Sequence, residues 1–158
     1  MLYLMNLEIL PTDTPPRNLL LLADECPASV DDYLPRGRCH VALLDGEIVG
    51  QYILLHTRPF TAEVVSLSVA PALQRRGIGT RLLDHAVRTA RMLGFRRLEI
   101  GTGDTGFDQL RLYERCGFVR CGIDRGYFTR FYPAPVIENG LVCRDMVRLS
   151  MDLDRPAR

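Results

Sequence analysis

An apolar run that ends at a proline and leads into a glycine-bearing turn constrains this chain more than any other feature. Residues 64–80 read VVSLSVAPALQRRGIGT. Before Pro71, the dense β-branched and apolar residues are typical of a buried strand. Beyond Leu73, apolar residues recur at the spacing of one helical face: Ile78, Leu82, Leu83, Ala86, Val87, Ala90 and Leu93. The stretch predicts a strand, a short turn and a helix from Arg75 to Gly94.

The turn between this strand and this helix has the composition of an anion-binding site. The first N–H groups of a helix lack intrahelical acceptors and carry partial positive charge. Gly77 and Gly79 leave the backbone of the turn uncovered, and Arg75 and Arg76 add formal positive charge beside it. We therefore expect a phosphate group to bind at this turn.

Residues 74–79, Gln-Arg-Arg-Gly-Ile-Gly, resemble the Q/R-x-x-G-x-G/A motif of the GNAT superfamily of N-acetyltransferases. The preceding Val69-Ala70-Pro71 is similar to the end of the strand that leads into that motif. The resemblance implies that the turn holds the pyrophosphate of acetyl-coenzyme A (acetyl-CoA) and that the amides of the strand hold its thioester. The implied co-substrate residues are Leu67, Ser68, Val69, Gln74, Arg75, Arg76, Gly77, Ile78, Gly79 and Thr80.

A second segment carries the same resemblance. Residues 112–118, Leu-Tyr-Glu-Arg-Cys-Gly-Phe, are similar to the GNAT segment L-Y-E-K-x-G-F, whose tyrosine points at the sulfur of the co-substrate. The resemblance implies that Tyr113 is the acid that protonates the departing thiolate. Phe107, Leu110 and Tyr113 also share one helical face, so a core aromatic is the alternative interpretation. GNAT proteins often carry an asparagine seven positions before the tyrosine, where this chain has Gly106.

Glu63 is the candidate general base. It lies fourteen residues before Gly77, which resembles the position of the base glutamate in the histone-acetyltransferase branch of the superfamily. Strict strand alternation places Glu63 on the side of Leu67 and Val69, unless a β-bulge intervenes. An exposed strand carboxylate is the alternative interpretation. In that case the remaining bases are water and three other carboxylates: Asp31, Asp104 and Glu138.

The order of the predicted elements indicates a single α/β domain over residues 1–158. We expect strands at residues 7–10, 39–44, 48–56, 62–69, 97–100, 118–123 and 143–153. We expect helices at residues 17–22, 75–94 and 107–116, and a further one after Pro27. Pro133 and Pro135 indicate an extended excursion before the last strand. The resemblance implies a GNAT fold, in which helices flank a mixed, mostly antiparallel central sheet that splays near Val69.

Residues 101–106, Gly-Thr-Gly-Asp-Thr-Gly, match the G-x-G-x-x-G form of a dinucleotide-binding loop. Asp124 also follows at about the distance of a ribose-binding acid. However, the preceding strand is half charged, and no further β–α alternation follows. We therefore interpret these glycines as easing a sharp loop at the edge of the co-substrate site.

Composition limits the classes of partner. A net charge of +1 gives no reason to expect nucleic acid or a membrane surface as a partner. The five cysteines are scattered and the three histidines lack partners at ligand spacing, so we predict no metal. Glu8 comes too early for a signal peptide, and no apolar run approaches bilayer length. We expect a cytoplasmic protein, for which a homodimer is left open.

The motifs together predict an acetyl-CoA-dependent N-acetyltransferase that acts on a primary amine of a small molecule or peptide. The alternative is a non-catalytic acyl-CoA-binding sensor or regulatory module. Such a module would keep the phosphate-binding turn but would need neither Tyr113 nor Glu63. The sequence does not identify the acceptor amine.

Overall fold

A twisted seven-stranded sheet forms the centre of the computed structural model, which describes residues 6–154. The strands are β1 (Leu7–Thr12), β2 (Arg38–Leu44), β3 (Glu47–Arg58), β4 (Thr61–Val69), β5 (Arg97–Gly103), β6 (Val119–Asp124), β7 (Val136–Glu138), β8 (Leu141–Cys143) and β9 (Met146–Asp152). The helices are α1 (Arg17–Ala23), α2 (Pro27–Tyr33), α3 (Ile78–Met92), α4 (Phe107–Arg115) and α5 (Tyr127–Phe131). The sheet order is β1-β2-β3-β4-β5-β9-β6, and β7 pairs with β8 in a separate hairpin.

The sheet is antiparallel except for β4 and β5, and this parallel pair opens along its length. Residue pairing between the two strands runs only from Thr61 with Arg97 to Val64 with Ile100. Beyond Val64, β4 continues to Val69 without β5 beside it. The predicted mixed, mostly antiparallel sheet with a splay near Val69 is therefore confirmed.

Helices cover both faces of the sheet, and each face has its own apolar core. The larger core lies on the face of α3 and α4 and includes Tyr52, Val64, Leu82, Leu83 and Tyr113. The smaller core lies on the face of α1 and α2 and includes Leu20, Val30, Tyr33, Ile53 and Leu55. Successive side chains along β3 and β4 point to opposite sides of the sheet, so they pack alternately in the two cores.

Left-handed backbone conformations mark one hairpin turn and the ends of two helices. Asp45 and Gly46 join β2 to β3 with φ values of 52° and 82°, as expected for a two-residue hairpin turn. Gly94 and Gly117 follow α3 and α4 with φ values of 85° and 100°, which are typical of helix C-terminal glycines. Side-chain-free residues at these positions avoid the steric cost that a Cβ would impose.

The termini of three elements differ from their predictions. β1 runs through Pro11 to Thr12, because an edge strand has one side free of ladder hydrogen bonds and tolerates a proline. α3 begins at Ile78 and not at Arg75, because Arg75 (φ 61°) and Gly77 (φ 87°) lie in the left-handed region. α2 begins at Pro27 itself and not after it, because a proline is tolerated at the first position of a helix.

The region between β6 and β9 is more ordered than the predicted extended excursion. It contains α5 and the β7–β8 hairpin, whose turn residues Asn139 and Gly140 have φ values of 54° and 72°. The last strand begins at Met146, whereas Cys143 belongs to β8. The chain turns between these strands because the Arg144 N–H donates to Asp104 Oδ1 over 2.9 Å.

The G-x-G-x-x-G segment does not form a dinucleotide-binding loop. Gly101 and Gly103 lie within β5, which pairs antiparallel with β9, and a Cβ at Gly101 would lie 2.7 Å from Met146 Sδ. A Cβ at Gly103 would collide with Cys143 Sγ. These glycines let neighbouring elements pack closely, so the expected sharp loop is confined to the residues that follow Gly103.

Candidate active site

The N-terminus of α3 presents a row of unpaired backbone donors. The first hydrogen bond into the helix runs from the Arg81 N–H to the Gly77 carbonyl oxygen over 3.1 Å. Within residues 6–154, the N–H groups of Ile78, Gly79 and Thr80 donate to no acceptor. These donors and the positive end of the helix form the kind of site that binds phosphate.

The two glycines of this turn are there for different reasons. Gly77 has φ 87°, a conformation that the chain itself requires and that disfavours any side chain. Gly79 has no such requirement, and a Cβ there would lie 3.5 Å from Leu112 Cδ2, an ordinary contact. The packing of the chain therefore does not explain the glycine at position 79, whereas close approach of a ligand does.

The other predicted residues of the turn contribute in different ways. Gln74 Nε2 donates to the Val69 carbonyl oxygen over 3.0 Å and ties the turn to the end of β4. Arg75 pairs with Asp108 over 2.8 Å at the start of α4, and its side chain is 82% exposed. Ile78 buries its side chain in the core, so only its backbone N–H is available to a ligand. Arg76 is exposed on the turn.

The opened part of β4 adds further backbone donors. The Ala70 N–H donates to the Val49 carbonyl oxygen over 2.8 Å, so in the antiparallel alternation the amides of Leu67 and Val69 point away from β3. On that side, pairing with β5 has already ended at Val64. The Leu67 and Val69 N–H groups therefore line the splay, next to the turn that precedes α3.

Ser68 contributes less to this side than the resemblance implied. Its Oγ donates to the Leu19 carbonyl oxygen over 2.6 Å and accepts a hydrogen bond from Gln51 Nε2 over 3.2 Å. The Ser68 side chain therefore fastens α1 to the opposite face of the sheet.

Tyr113 lies on α4, is only 5% exposed and packs in the core on the face of α3. Burial raises the pKa of its hydroxyl, and the nearby Glu138 carboxylate raises it further. The Tyr113 hydroxyl is therefore protonated at neutral pH, as a general acid must be. A core aromatic and a general acid are therefore compatible interpretations of Tyr113, because the ring packs in the core while the hydroxyl keeps its proton.

A β-bulge moves Glu63 to the other face of the sheet. The β3–β4 register shifts between Ile53 and Leu54, which leaves Val65 as the extra residue of β4. Leu55 pairs with Glu63, and Ile53 pairs with Ser66. Because Leu55 and Ile53 both pack in the core of α1 and α2, Glu63 and Ser66 lie on that side of the sheet. The prediction that Glu63 shares the side of Leu67 and Val69 is wrong for this reason.

On that face, Glu63 Oε1 accepts a hydrogen bond from Arg148 Nη1 over 3.2 Å, and the Glu63 side chain is 20% exposed. Burial raises the pKa of Glu63, and the Arg148 guanidinium opposes that shift. The carboxylate is therefore partly desolvated but held by a cation.

The three alternative carboxylates lie in different environments. Asp31 is exposed and pairs with Arg17 over 2.8 Å. Asp104 accepts the hydrogen bond from the Arg144 backbone. Glu138 lies on β7 near Tyr113, and burial raises the pKa of its carboxyl while a hydrogen bond with Gln109 opposes the shift. Glu138 is therefore the alternative whose surroundings most resemble those of a catalytic carboxylate.

Sequence reasoning missed a polar and aromatic cluster on the face of Glu63. Asp24 comes from the loop between α1 and α2, and Tyr127, Phe128 and Tyr132 come from α5 and the residue after it. The adjacent aromatic residues Tyr127 and Phe128 were the only sequence feature that pointed to this cluster. The hydrogen bond from Tyr132 to Asp24 joins residues more than a hundred positions apart in the chain.

Neither a metal site nor a membrane span is present in the described part of the chain. Between residues 6 and 154, no group of His, Cys, Asp and Glu side chains is placed to hold a metal ion. No described helix is long and apolar enough to cross a bilayer. His40 of β2 and His85 of α3 both contact the Tyr52 ring.

Comparisons with known proteins agree with the fold. The model of the acetyltransferase (GNAT) family matches residues 5–118. An uncharacterized N-acetyltransferase of Bacillus subtilis, YvbK, is 47% identical over 136 residues, which cover 86% of this chain and 88% of that protein. This chain belongs to the GNAT family and is an N-acetyltransferase.

Two solved structures extend the likeness over nearly the whole chain. A protein from Bacillus cereus described as an IAA acetyltransferase is 46% identical, with a TM-score of 0.91 over 93% of this chain and 99% of that one. A GNAT family acetyltransferase from Elizabethkingia anophelis, solved with acetyl-CoA bound, is 38% identical, with a TM-score of 0.91 over 94% and 99%. The predicted family, fold and class of enzyme are confirmed.

Proposed function

We propose that residues 1–158 act as one cytoplasmic domain that transfers the acetyl group of acetyl-CoA to a primary amine of a small molecule or peptide. The observation that carries this proposal is the presence of two neighbouring sets of unpaired backbone donors, one at the start of α3 and one along the opened part of β4. The donors at the start of α3 suit a pyrophosphate, and the donors of β4 suit the carbonyl oxygen of a thioester. The acetyl-CoA bound to the Elizabethkingia anophelis relative supports the same co-substrate.

In this proposal the pyrophosphate binds the N–H groups of Gly77, Ile78, Gly79 and Thr80, with Arg75 and Arg76 adding positive charge. Gln74 keeps the turn against β4 through the Val69 carbonyl oxygen. The thioester lies along β4, where the free N–H groups of Leu67 and Val69 polarise its carbonyl oxygen as negative charge develops there. Ser68 contributes through its place in the strand and not through its hydroxyl.

The reaction then requires the acceptor nitrogen to lose two protons and the thiolate to gain one. The acceptor ammonium loses a proton, and its nitrogen attacks the thioester carbonyl carbon. The carbon–sulfur bond breaks, and the thiolate takes the proton of the Tyr113 hydroxyl. A thiol with a pKa of about 8.5 leaves readily when an acid is positioned beside it. The nitrogen loses its second proton as the amide forms, and Tyr113 regains a proton from it through solvent.

Glu63 takes the first of these protons through a water molecule. Its place on the face of α1 and α2 supports an approach of the amine from the side of the sheet opposite α3. The ion pair with Arg148 keeps the carboxylate in the ionised form that a base needs. Glu138 is the competing carboxylate, because it lies near Tyr113.

The proposal is tested by offering the protein acetyl-CoA with a panel of alkylamines, arylalkylamines, aminoglycosides and peptide N-termini, and by measuring the release of free CoA thiol. We expect release that depends on the amine, and mass spectrometry should find the acetylated amine. Calorimetry with CoA gives an independent measure of binding. Tight CoA binding without turnover of any amine would favour the non-catalytic binding module.

A further inference from the structure

The segment that follows β6 folds back onto the loop between α1 and α2. Tyr132 Oη donates a hydrogen bond to Asp24 Oδ1 over 2.7 Å. The rings of Tyr127, Phe128 and Tyr132 contact one another, with centroid distances of 5.1 Å, 5.1 Å and 6.2 Å. These three rings are half-buried, so they form an apolar wall that still meets solvent beside a carboxylate. We call these rings, together with Asp24 and Tyr33, the acceptor cluster.

Asp24 is a fixed negative charge without a cationic partner. Its oxygens accept hydrogen bonds from the Cys26 N–H over 3.1 Å and from Ser29 Oγ over 2.7 Å, in addition to that from Tyr132. In the chain from residue 6 to residue 154, no arginine or histidine forms an ion pair with it. Three neutral donors hold the carboxylate rigid and leave its charge uncompensated, which favours the arrival of a cation.

Tyr33 supplies an independent sign of a missing ligand. Its side chain is only 7% exposed, and its hydroxyl has no hydrogen-bond partner of ordinary geometry among the described residues. Burial raises the pKa of this hydroxyl, the nearby Asp24 and Tyr127 raise it further, and a polar interaction with Ser66 opposes the shift. A buried hydroxyl without a partner is costly. A ligand group beside Asp24 would satisfy it.

The acceptor cluster adjoins the place where the reaction is proposed to occur. Tyr127 is near Asp24 and also near Glu63 and Arg148, all of which influence the pKa of its hydroxyl. Ser66 and Glu63 lie on the same face of β4 as Tyr33. The cluster is thus on the opposite face of the sheet from α3, and β4 separates from β5 beyond Val64 between the two sides.

We propose that the acceptor cluster binds the acceptor as a monocation: Asp24 holds its ammonium group, and the rings of Tyr127, Phe128 and Tyr132 cover an apolar or aromatic body. Ammonium groups are attracted both by carboxylates and by the faces of aromatic rings. Among the described residues, Asp24 is the carboxylate of the cluster without an ion pair, and the nearby Glu63 is already paired with Arg148, so the site balances one positive charge and not several. The site therefore selects against polyamines and against anionic compounds. This inference rests on the proposed function.

The test uses 2-phenylethylamine as the probe, with spermine and phenylacetate for comparison. Calorimetry with the CoA-bound protein measures binding without any need for turnover, and thiol release measures kcat and KM. We expect 2-phenylethylamine to bind and the two comparison compounds to bind at least tenfold more weakly. Asp24→Asn should weaken 2-phenylethylamine binding and raise its KM by about 10- to 100-fold, while CoA affinity remains that of the wild type.

Two variants keep this test independent of folding. Tyr33→Phe removes only the unpartnered hydroxyl and should raise KM severalfold without a loss of stability. Asp32→Asn, on the exposed side of α2 where Asp32 pairs with Arg36, should leave binding and KM unchanged.

Three results would overturn the inference: wild-type protein that does not bind 2-phenylethylamine, a preference for spermine or phenylacetate, or wild-type KM in Asp24→Asn. Failure of the proposed function looks different, because 2-phenylethylamine would then bind through Asp24 without any release of CoA.

Discussion

The turn before α3 and the acceptor cluster are built on opposite principles. The turn is contiguous, with its donors supplied by backbone N–H groups of residues 77–80 and its shape by Gly77. The acceptor cluster is assembled from side chains of Asp24, Tyr33 and residues 127–132, which come together only in the folded chain. Backbone donors recognise phosphate whatever their side chains are. The side chains of a distributed cluster are free to vary, so the cluster is the place where acceptor specificity resides.

The largest effect should come from the proposed general acid. Tyr113→Phe removes the proton that the departing thiolate needs and should lower kcat by about 10²- to 10⁴-fold. CoA affinity should stay unchanged, because the ring still packs in the core. Steady-state kinetics and calorimetry separate the two quantities. Tyr52→Phe is the matched control: it removes another buried hydroxyl, bonded to His85 and Thr89, and should alter stability but not kcat. Full activity of Tyr113→Phe would make Tyr113 a purely structural residue.

Gly79→Val tests the turn alone. The added side chain covers the backbone where the pyrophosphate is proposed to approach, and the loss of one or two charge-assisted hydrogen bonds corresponds to a decrease in CoA affinity of about 10- to 100-fold. The fold should persist, because a Cβ at this position meets only an ordinary contact with Leu112. Gly122→Val, at an open position on β6, is the control. Wild-type affinity in a folded Gly79→Val protein, measured by calorimetry, would contradict the phosphate site.

Glu63→Gln tests the acceptor face through its pH dependence. Burial raises the pKa of Glu63, so the ionised base appears at a higher pH than for an exposed glutamate, and wild-type activity should fall as pH drops through that pKa. The variant should lose about tenfold in kcat/KM at pH 7. It should partly recover towards pH 9, because the free form of an amine with a pKa near 10.4 becomes more abundant. Measurement of kcat/KM for the wild type and for Glu63→Gln from pH 6 to 9 gives the ratio of the two at each pH.

Glu138→Gln, measured in parallel, distinguishes the two carboxylates. The ratio of variant to wild-type kcat/KM could be independent of pH for Glu63→Gln and dependent on pH for Glu138→Gln. That result would identify Glu138 of β7, and not Glu63 of β4, as the base.

The smallest effect on activity is expected for His40, which belongs to the core beneath α3. Burial, with His85 and Arg38 nearby, lowers the pKa of His40 from 6.5 to about 4. The unfolded chain therefore binds this proton at a higher pH than the folded one. The His40 contribution to stability is complete above pH 6.5 and is lost as pH falls towards 4. Linkage puts the loss at about 2 kcal/mol by pH 5.

His40→Phe keeps the stacking on Tyr52 and removes the titrating nitrogen. Its free energy of unfolding, from urea titrations at pH 7 and pH 5, should depend less on pH than that of the wild type, and its kcat should be unchanged. An equal pH dependence in both proteins would assign the acid sensitivity to other groups.

Most of the fold was predictable because its signals are local. Asp45-Gly46 specifies the β2–β3 hairpin through the left-handed conformations that these residues adopt. The apolar spacing from Ile78 to Ala90 specifies the buried face of α3. The start of α3 was misplaced because Arg75 adopts a positive φ that its residue type does not indicate. α5 and the β7–β8 hairpin were missed because they are short and lack a clear periodicity.

The order of residues alone was sufficient to place the glycine-bearing turn before α3 and Tyr113 on α4, since glycine placement and helical faces depend on neighbours in the chain. Tertiary structure decided which face Glu63 occupies, because one extra residue at Val65 changes the phase of the strand and its register is set by pairing with β3. It also decided that Tyr132 reaches Asp24, a contact between residues 108 positions apart. Side chains that meet across such a distance leave no local pattern, because their proximity is a product of the packing of the whole sheet.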